Sequence, residues 1–310
     1  MATTTSITTT YAGEFAGKYI AAALLSAPTL EQGGVTIVPN VKYKQVIKKV
    51  ATNDILKNAT CDFDATSTIT LTERILQPEE FQVNLQLCKK DFRSDWDAVQ
   101  MGYSTFDVLP KSFADFLIAH AAAKVAAKIE TNIWNGANAN QGEFDGFRAL
   151  MLADATVIDV AGAAAITSST IIAALGATVD AIPAALYGNE GLRLYLSQKA
   201  VKAYVRALGG FSVAATSNSG VNAQGTQWYT NGALSFDGIP IFMANGLNDD
   251  TMIATTIDNL FFATSLISDA NEVQIIDLGP LDGSQNVRVV MRLTAGVNYG
   301  IGSDCVLYTS

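Results

Sequence analysis

The residues best spaced for covalent chemistry are Asp62, Asp64 and Thr66. A D-x-D-x-T run can supply an attacking carboxylate and, two residues on, a second carboxylate that handles the leaving-group proton in phosphoryl transfer. That chemistry needs its first aspartate at the tip of a buried strand, which requires an apolar run just before it. Here the preceding residues, LKNATC from Leu56 to Cys61, are polar. His120 is the single histidine and stands among alanines with no second histidine or cysteine near it, so it reads as a packed helix residue rather than a metal ligand. Cys61, Cys88 and Cys305 are odd in number, far apart and never in a C-x-x-C pair, which gives neither a disulfide framework nor a zinc site and fits a reducing compartment. Asn248, Asp249 and Asp250 lack the alternating oxygen ligands and terminal glutamate of a calcium loop and read as a solvated turn. No phosphate-binding glycine loop or nucleophile elbow occurs. The sequence therefore names no catalytic, cofactor-binding or metal-binding residue, and the chain does not read as an enzyme.

The composition points elsewhere. Of 310 residues 49% are hydrophobic and only 16% charged, against about 25% charged in an average soluble domain. A chain with so little charge to spread over its surface is expected to meet other protein. The net charge of -9 argues against nonspecific nucleic-acid binding, because neutralising phosphates takes an excess of lysine and arginine. Charge also drifts along the chain, from net -1 over residues 1–100 to -3 over 101–200 and -5 over 201–310. Within the first part Lys42, Lys44, Lys48 and Lys49 form a basic run that could face nucleic acid or acidic neighbours, though such a run is more often a solvated strand edge guarded against stray pairing. The apolar stretch from Tyr19 to Leu25 is too short to span a bilayer, and Glu14 with a lone Lys18 does not make a secretory leader. A cytoplasmic product with no membrane partner is expected.

The elements that would position any functional residue form an α+β series. Residues 1–10, MATTTSITTT, bury nothing and read as an unfolded arm. Phe15, Tyr19 and Ala22 then fall at helical spacing, closed by Pro28. Period-two alternation marks ITLTER and FQVNLQLC on either side of Gln77-Pro78, so those two runs are expected to pair, with polar NATCDFDATST as the tip of a long hairpin that begins near Val41. After Pro110, Ile118, Val125, Ile129 and Ile133 outline the longest helix, with Ser112 as its N-cap and Gly136 at its end. Further helices are expected from Ser169 to about Ala185 and from Ser197 to Leu208, then a glycine-rich loop over 209–225. Short strands follow in IPIFMA, TMIATT, NLFFAT, EVQIIDL, VRVVMRLTAGVNYGI and CVLYT.

This order of segments resembles that of the major capsid proteins of tailed bacteriophages, whose Hong Kong 97 (HK97-like) fold is shared with herpesvirus shells and bacterial encapsulins. The likeness is carried by GEFAGKYIAAALL and VPNVKYKQVIKKV near the start, by LTERILQPEEFQVNLQLCKKDFRSDW, and by KIETNIWNG at the end of the long helix. FDGIPIFMANGLNDD, TIDNLFFATSLISD and VRVVMRLTAGVNYGIGSDCVLYTS complete it. The resemblance implies an N-terminal arm over 1–40, an extended loop (E-loop) over 41–91, and a peripheral domain over 92–165 with its spine helix at about 112–135. It further implies an axial domain over 166–265, peripheral strands over 266–298, and a return to the axial domain over 299–310.

By the same likeness the chain self-assembles into hexameric and pentameric capsomers of an icosahedral shell. The shell would enclose double-stranded DNA without sequence-specific binding and form in the host bacterial cytoplasm. Because residue 1 lies close to the arm, a separate scaffolding protein is expected, along with a portal protein and room for a decoration protein. Some relatives crosslink a loop lysine to an asparagine of another subunit; Lys57 lies near that place, but no motif carries the reaction over, so a non-covalent shell is expected. Two other readings compete. One is an encapsulin-like cargo compartment. The other is a haloacid-dehalogenase-like phosphohydrolase using Asp62 and Asp64.

Overall fold

The computed structural model describes residues 28–52, 56, 58, 59, 61, 69–88, 111–162, 164–208, 234–264, 274–279 and 283–310, for Pro28 and 111–120 by backbone alone. The threonine-rich arm, the helix expected up to Ala27, Asp62, Asp64, Lys57, the 209–225 loop and the side chain of His120 lie outside the described residues. Pro28 opens a single helical turn, α1 (Pro28–Glu31). At a first helical position its missing N–H costs nothing.

Two cores share the molecule. The first is laid along α2 (Lys111–Asn135), which at about 1.5 Å per residue is about 37 Å long. Ala122, Ala126, Ile129 and Ile133 recur at three- and four-residue steps and are buried, with Trp134 beside them. Ile129, Ile133 and Trp134 share one core with the odd-numbered residues of β12 (Asn286–Tyr299), from Val287 to Tyr299, which alternate inward as a half-covered strand must. β4 (Glu79–Cys88) runs antiparallel beside β12 over ten pairs, setting Val83 opposite Met291 and Phe81 opposite Leu293. β1 (Thr36–Pro39), β10 (Leu260–Thr264) and β11 (Gln274–Asp277) complete this five-stranded sheet.

The second core lies on a six-stranded sheet in the order β5 (Ile158–Ala161), β13 (Val306–Thr309), β9 (Thr251–Thr256), β6 (Leu192–Leu196), β8 (Ile239–Met243) and β7 (Ser235–Phe236). Helices α4 (Ile171–Asp180) and α5 (Gln198–Leu208) supply Ile171, Leu175, Val179, Val201 and Tyr204 against Leu194, Met252, Ala254 and Val306. The opposite side chains of the same strands, Tyr195, Ile253 and Leu307, join the first core. A sheet covered on both faces has no solvent side, which is why TMIATT and CVLYT read as continuous apolar runs. α3 (Phe147–Leu152) closes the first core with Phe147 and Met151.

One expectation is corrected. ITLTER and FQVNLQLC do not pair with each other: the first forms β3 (Ile69–Leu76) and pairs with β2 (Gln45–Thr52), whereas the second is β4, on β12. Alternation reports which side chains share a face and is silent about the partner, so Gln77-Pro78, a turn signal in the sequence, is in the structure a corner between two sheets. Each sheet draws its strands from distant parts of the chain. Residues 158–161 lie in the six-stranded sheet, and residues 260–264 lie in the five-stranded one.

The corner is seated on a glycine. A side chain at Gly296 of β12 would meet the Gln77 carbonyl oxygen at 2.6 Å and the Pro78 Cα at 2.8 Å, both backbone. Gly296→Ala is expected to cost about 1–3 kcal/mol by overpacking, seen as a lowered thermal midpoint of the unassembled subunit. An unchanged midpoint would show that the corner yields freely.

Candidate assembly surface

β2 and β3 form a two-stranded ribbon in which Gln45 faces Leu76, Val46 faces Ile75 and so on to Thr52 facing Ile69. With a period of two, one face carries Val46, Lys48, Val50 and Thr52 opposite Ile75, Glu73, Leu71 and Ile69. Five of these eight are large aliphatics, and all five are exposed: Val46 by 43%, Ile75 by 49%, Val50 by 61%, Leu71 by 67% and Ile69 by 70%. The outer part of the other face pairs Lys49 with Thr72 and Ala51 with Thr70. A two-stranded ribbon on its own is marginal in water. This one presents an apolar ladder interrupted by a single Lys48–Glu73 cross-strand pair, and the described residues of its own subunit leave that ladder uncovered.

The root of the ribbon is held firmly. Val41, Leu76 and Ala263 form a small buried cluster with Val38, Ile47 and Phe261 packed against it. Asn298 donates from Nδ2 to the Ile75 carbonyl oxygen at 2.8 Å. Arg74 pairs with Asp154 and lies over the Tyr299 ring, 4.3 Å from its centroid. The Tyr299 hydroxyl donates to Asp154 Oδ2 at 2.8 Å, and the Thr156 N–H and hydroxyl donate to Oδ1 at 2.9 and 2.8 Å. Burial works against ionising Asp154, but the bonds from Arg74, Thr156 and Tyr299 outweigh it and hold the carboxyl well below the usual carboxylate range. Burial, joined by the bond to Asp154, pushes the Tyr299 hydroxyl above its ordinary value.

A second anchor sits where the N-terminal segment meets the body. The Thr29 hydroxyl and N–H both donate to the buried Glu130 carboxylate, and Trp134 donates from Nε1 to Thr29 Oγ1 at 2.9 Å. Tyr195 donates its hydroxyl to the Gly34 carbonyl oxygen at 2.6 Å. The rings of Phe147, Trp134, Tyr195 and Phe242 follow one another at centroid spacings of 5.5, 5.1 and 5.4 Å. Burial pushes the Glu130 carboxyl up, against the opposing pull of the Thr29 and Trp134 donors. Gly246 packs on the Glu130 backbone so closely that any side chain there would overlap it.

Among the described residues, those singled out for chemistry do not converge. Cys61 is exposed, Cys88 half-buried and Cys305 buried, and all three are free thiols. Asp250 accepts from Lys199 Nζ at 2.9 Å and from the Ile166 N–H at 3.0 Å, which makes the Asn248–Asp250 segment a structural turn. Lys48 and Lys49 lie on β2, on opposite faces of the ribbon. Among the described residues no group of histidine, cysteine and carboxylate side chains is arranged to hold a metal ion, and no helix is long and apolar enough to cross a membrane. Sequence reasoning missed Arg74, Asp154, Tyr299, Thr29 and Glu130. The one available signal was Glu130 itself, a carboxylate on the same helical stripe as Ala126, Ile133 and Trp134.

No family model and no curated protein matches the sequence. Solved structures do match the fold. The capsid of an empty GTA particle aligns with a TM-score of 0.59 over 100% of this chain and 94% of its own, at 14% identity. The capsid of Myoviridae phage XM1 aligns with a TM-score of 0.55 over 100% and 96%, at 11% identity. A virus-like particle from Pyrococcus furiosus aligns with a TM-score of 0.52 over 94% and 98%, at 11% identity. With near-complete coverage in both directions, a spine helix beneath a long-stranded sheet, a second helix-covered sheet and a projecting ribbon, the chain has the HK97-like fold of phage capsid subunits.

Proposed function

We propose that this chain is the major capsid protein of a tailed bacteriophage and self-assembles, as hexamers and pentamers, into an icosahedral shell around double-stranded DNA. The observation that carries the reading is the exposed aliphatic ladder of the β2–β3 ribbon, five large side chains on one face. A second copy of the chain is its occupant in this reading, since a closed shell repeats one contact at every subunit and gains cooperativity from the repetition. The low charge and the net of -9 suit a protein that meets its own kind and encloses DNA without gripping it. The arm over 1–40, the E-loop over 41–91 and peripheral and axial domains built on the two sheets follow from the same reading. So do assembly in the bacterial cytoplasm, a separate scaffolding protein, a portal protein and a place in the virion. The role is structural, not enzymatic.

Electron microscopy of the purified protein is expected to show polyhedral particles, tubes or capsomer rings, and particles isolated from lysed host cells should hold nuclease-protected DNA. A monodisperse monomer under all assembly conditions would overturn the proposal. Closed particles packed with protein and free of DNA would replace it with a cargo compartment.

A further inference from the structure

We propose that Arg74 and Asp154 act as a positioning lock that sets the angle at which the β2–β3 ribbon leaves the body, and through it the uniformity of the particles. The second half of this statement rests on the shell reading; the first half does not.

The ribbon stops touching its own subunit a short way beyond its root. Ile47, opposite Arg74, and Leu76, opposite Gln45, pack into the small root cluster; from Thr72 to Ile69 on β3 every side chain is exposed, and on β2 Lys49 is half-buried while Val50 and Ala51 are exposed. The ribbon is thus a cantilever. From Arg74 to Ile69 it runs about 17 Å at roughly 3.3 Å per residue, so a roughly 10° change at the root moves the far end by about 3 Å. That displacement is most of a side-chain contact distance.

Three restraints act at the root, and they differ in kind. The apolar cluster is non-directional and tolerates rotation. The Asn298 bond to the Ile75 carbonyl is a single point of attachment. Arg74 alone is fixed in orientation: its planar guanidinium is stacked on the Tyr299 ring and paired at its edge with Asp154. Asp154 is itself immobilised by three further donors from Thr156 and Tyr299. Gly302 leaves room for the lock, since a side chain there would overlap Thr156 Oγ1 and come within 2.9 Å of Asp154 Oδ2. The lock joins β3, the turn after α3 and β12, three segments far apart in sequence. Asp154 lies outside both apolar cores and reaches the first only through the Tyr299 hydroxyl, so what it adds beyond packing is its hold on Arg74 and the ribbon.

The test measures angle and assembly separately. Spin labels at Thr70→Cys on the ribbon and Ile172→Cys on α4, in a Cys61→Ser, Cys88→Ser background, report a distance distribution in the unassembled full chain. The parent should give one narrow distribution. Arg74→Met and Asp154→Asn should each at least double its width, and unlabelled particles of each variant should spread in diameter where the parent's are uniform. Tyr299→Phe, which keeps the ring under Arg74, should broaden it less. A distribution in Arg74→Met or Asp154→Asn that superimposes on the parent's would overturn the lock. So would loss of the whole fold in both variants, because the pair would then be holding the body and not the ribbon. If the parent itself forms no particles, the shell reading fails while the distance measurement still decides the lock.

Discussion

Trp134→Ala is expected to destabilise the unassembled subunit by about 3–5 kcal/mol, the range for removing a fully buried indole. The side chain has no exposed surface, touches Phe147 and Tyr195, and holds Thr29 Oγ1 through its N–H, so its loss opens a cavity and also orphans a bonded chain. Against a total of about 5–15 kcal/mol this is a large fraction, readable in urea unfolding followed by circular dichroism. Trp134→Phe should cost less, because the ring volume is largely kept and the bond to Thr29 is the main loss, about 1 kcal/mol. The same cluster gives a signed pH effect. Burial raises the proton affinity of Glu130 in the folded state, so the fold holds a proton that the unfolded chain has already released. Its contribution is therefore fully present below the unfolded value of about 4.3 and is lost as pH rises through the folded one. Glu130→Gln does not titrate, so the stability of the parent minus that of Glu130→Gln should shrink as pH rises from about 4.3. Parallel curves would show that the carboxyl is not perturbed.

How far such features can be read from sequence depends on whether their signal is local. The long helix was legible because its signal is repeated along one segment: alanines and Ile129, Ile133 at helical steps, ended by Gly136, whose N–H donates to the Asn132 carbonyl oxygen as a helix end should. The strands of the second half were legible as strands for the same reason. Their partners were not. β3 and β4 both alternate, and only the packing of Gly296 under the Gln77-Pro78 corner separates them, a contact between residues more than two hundred positions apart. The helix expected to run to about Ala185 ends at Asp180, since the Ile182 N–H already turns back to Val179 and Pro183 follows. The ribbon's function showed through as polarity at the wrong place: a long hairpin with nothing to bury its tip. Its apolar face did not, because Val46, Val50, Ile69, Leu71 and Ile75 look like ordinary core residues until the structure leaves them bare. The Arg74–Asp154 lock had no sequence signal at all, being three segments meeting at one carboxylate.

Replacing Val50 and Leu71 together by aspartate should abolish assembly at concentrations where the parent forms particles, while leaving the subunit folded. The two side chains face each other across the ribbon and are 61% and 67% exposed, so the isolated subunit loses little when they become polar. In the shell each would be covered by a neighbour. Fully burying such an aliphatic side chain is worth about 1.5–3 kcal/mol, and the two carboxylates would in addition have to be desolvated or left facing an apolar partner. Even about 3 kcal/mol per contact raises the concentration needed for assembly by about 100-fold, at 1.4 kcal/mol per factor of ten. The contrast that gives the experiment its force is the other face of the same ribbon. Thr70→Asp with Thr72→Asp adds the same charge to the same ribbon, both on β3, at positions whose neighbours are Ala51 and Lys49, and should shift the assembly threshold by less than about threefold, since an exposed carboxylate beside a lysine costs little. Light scattering against protein concentration, with circular dichroism to check the fold, reads both. If Val50→Asp, Leu71→Asp subunits assemble at the parent's threshold, the aliphatic ladder is not a contact between copies; if both double variants fail alike, added charge and not the loss of an apolar face is responsible.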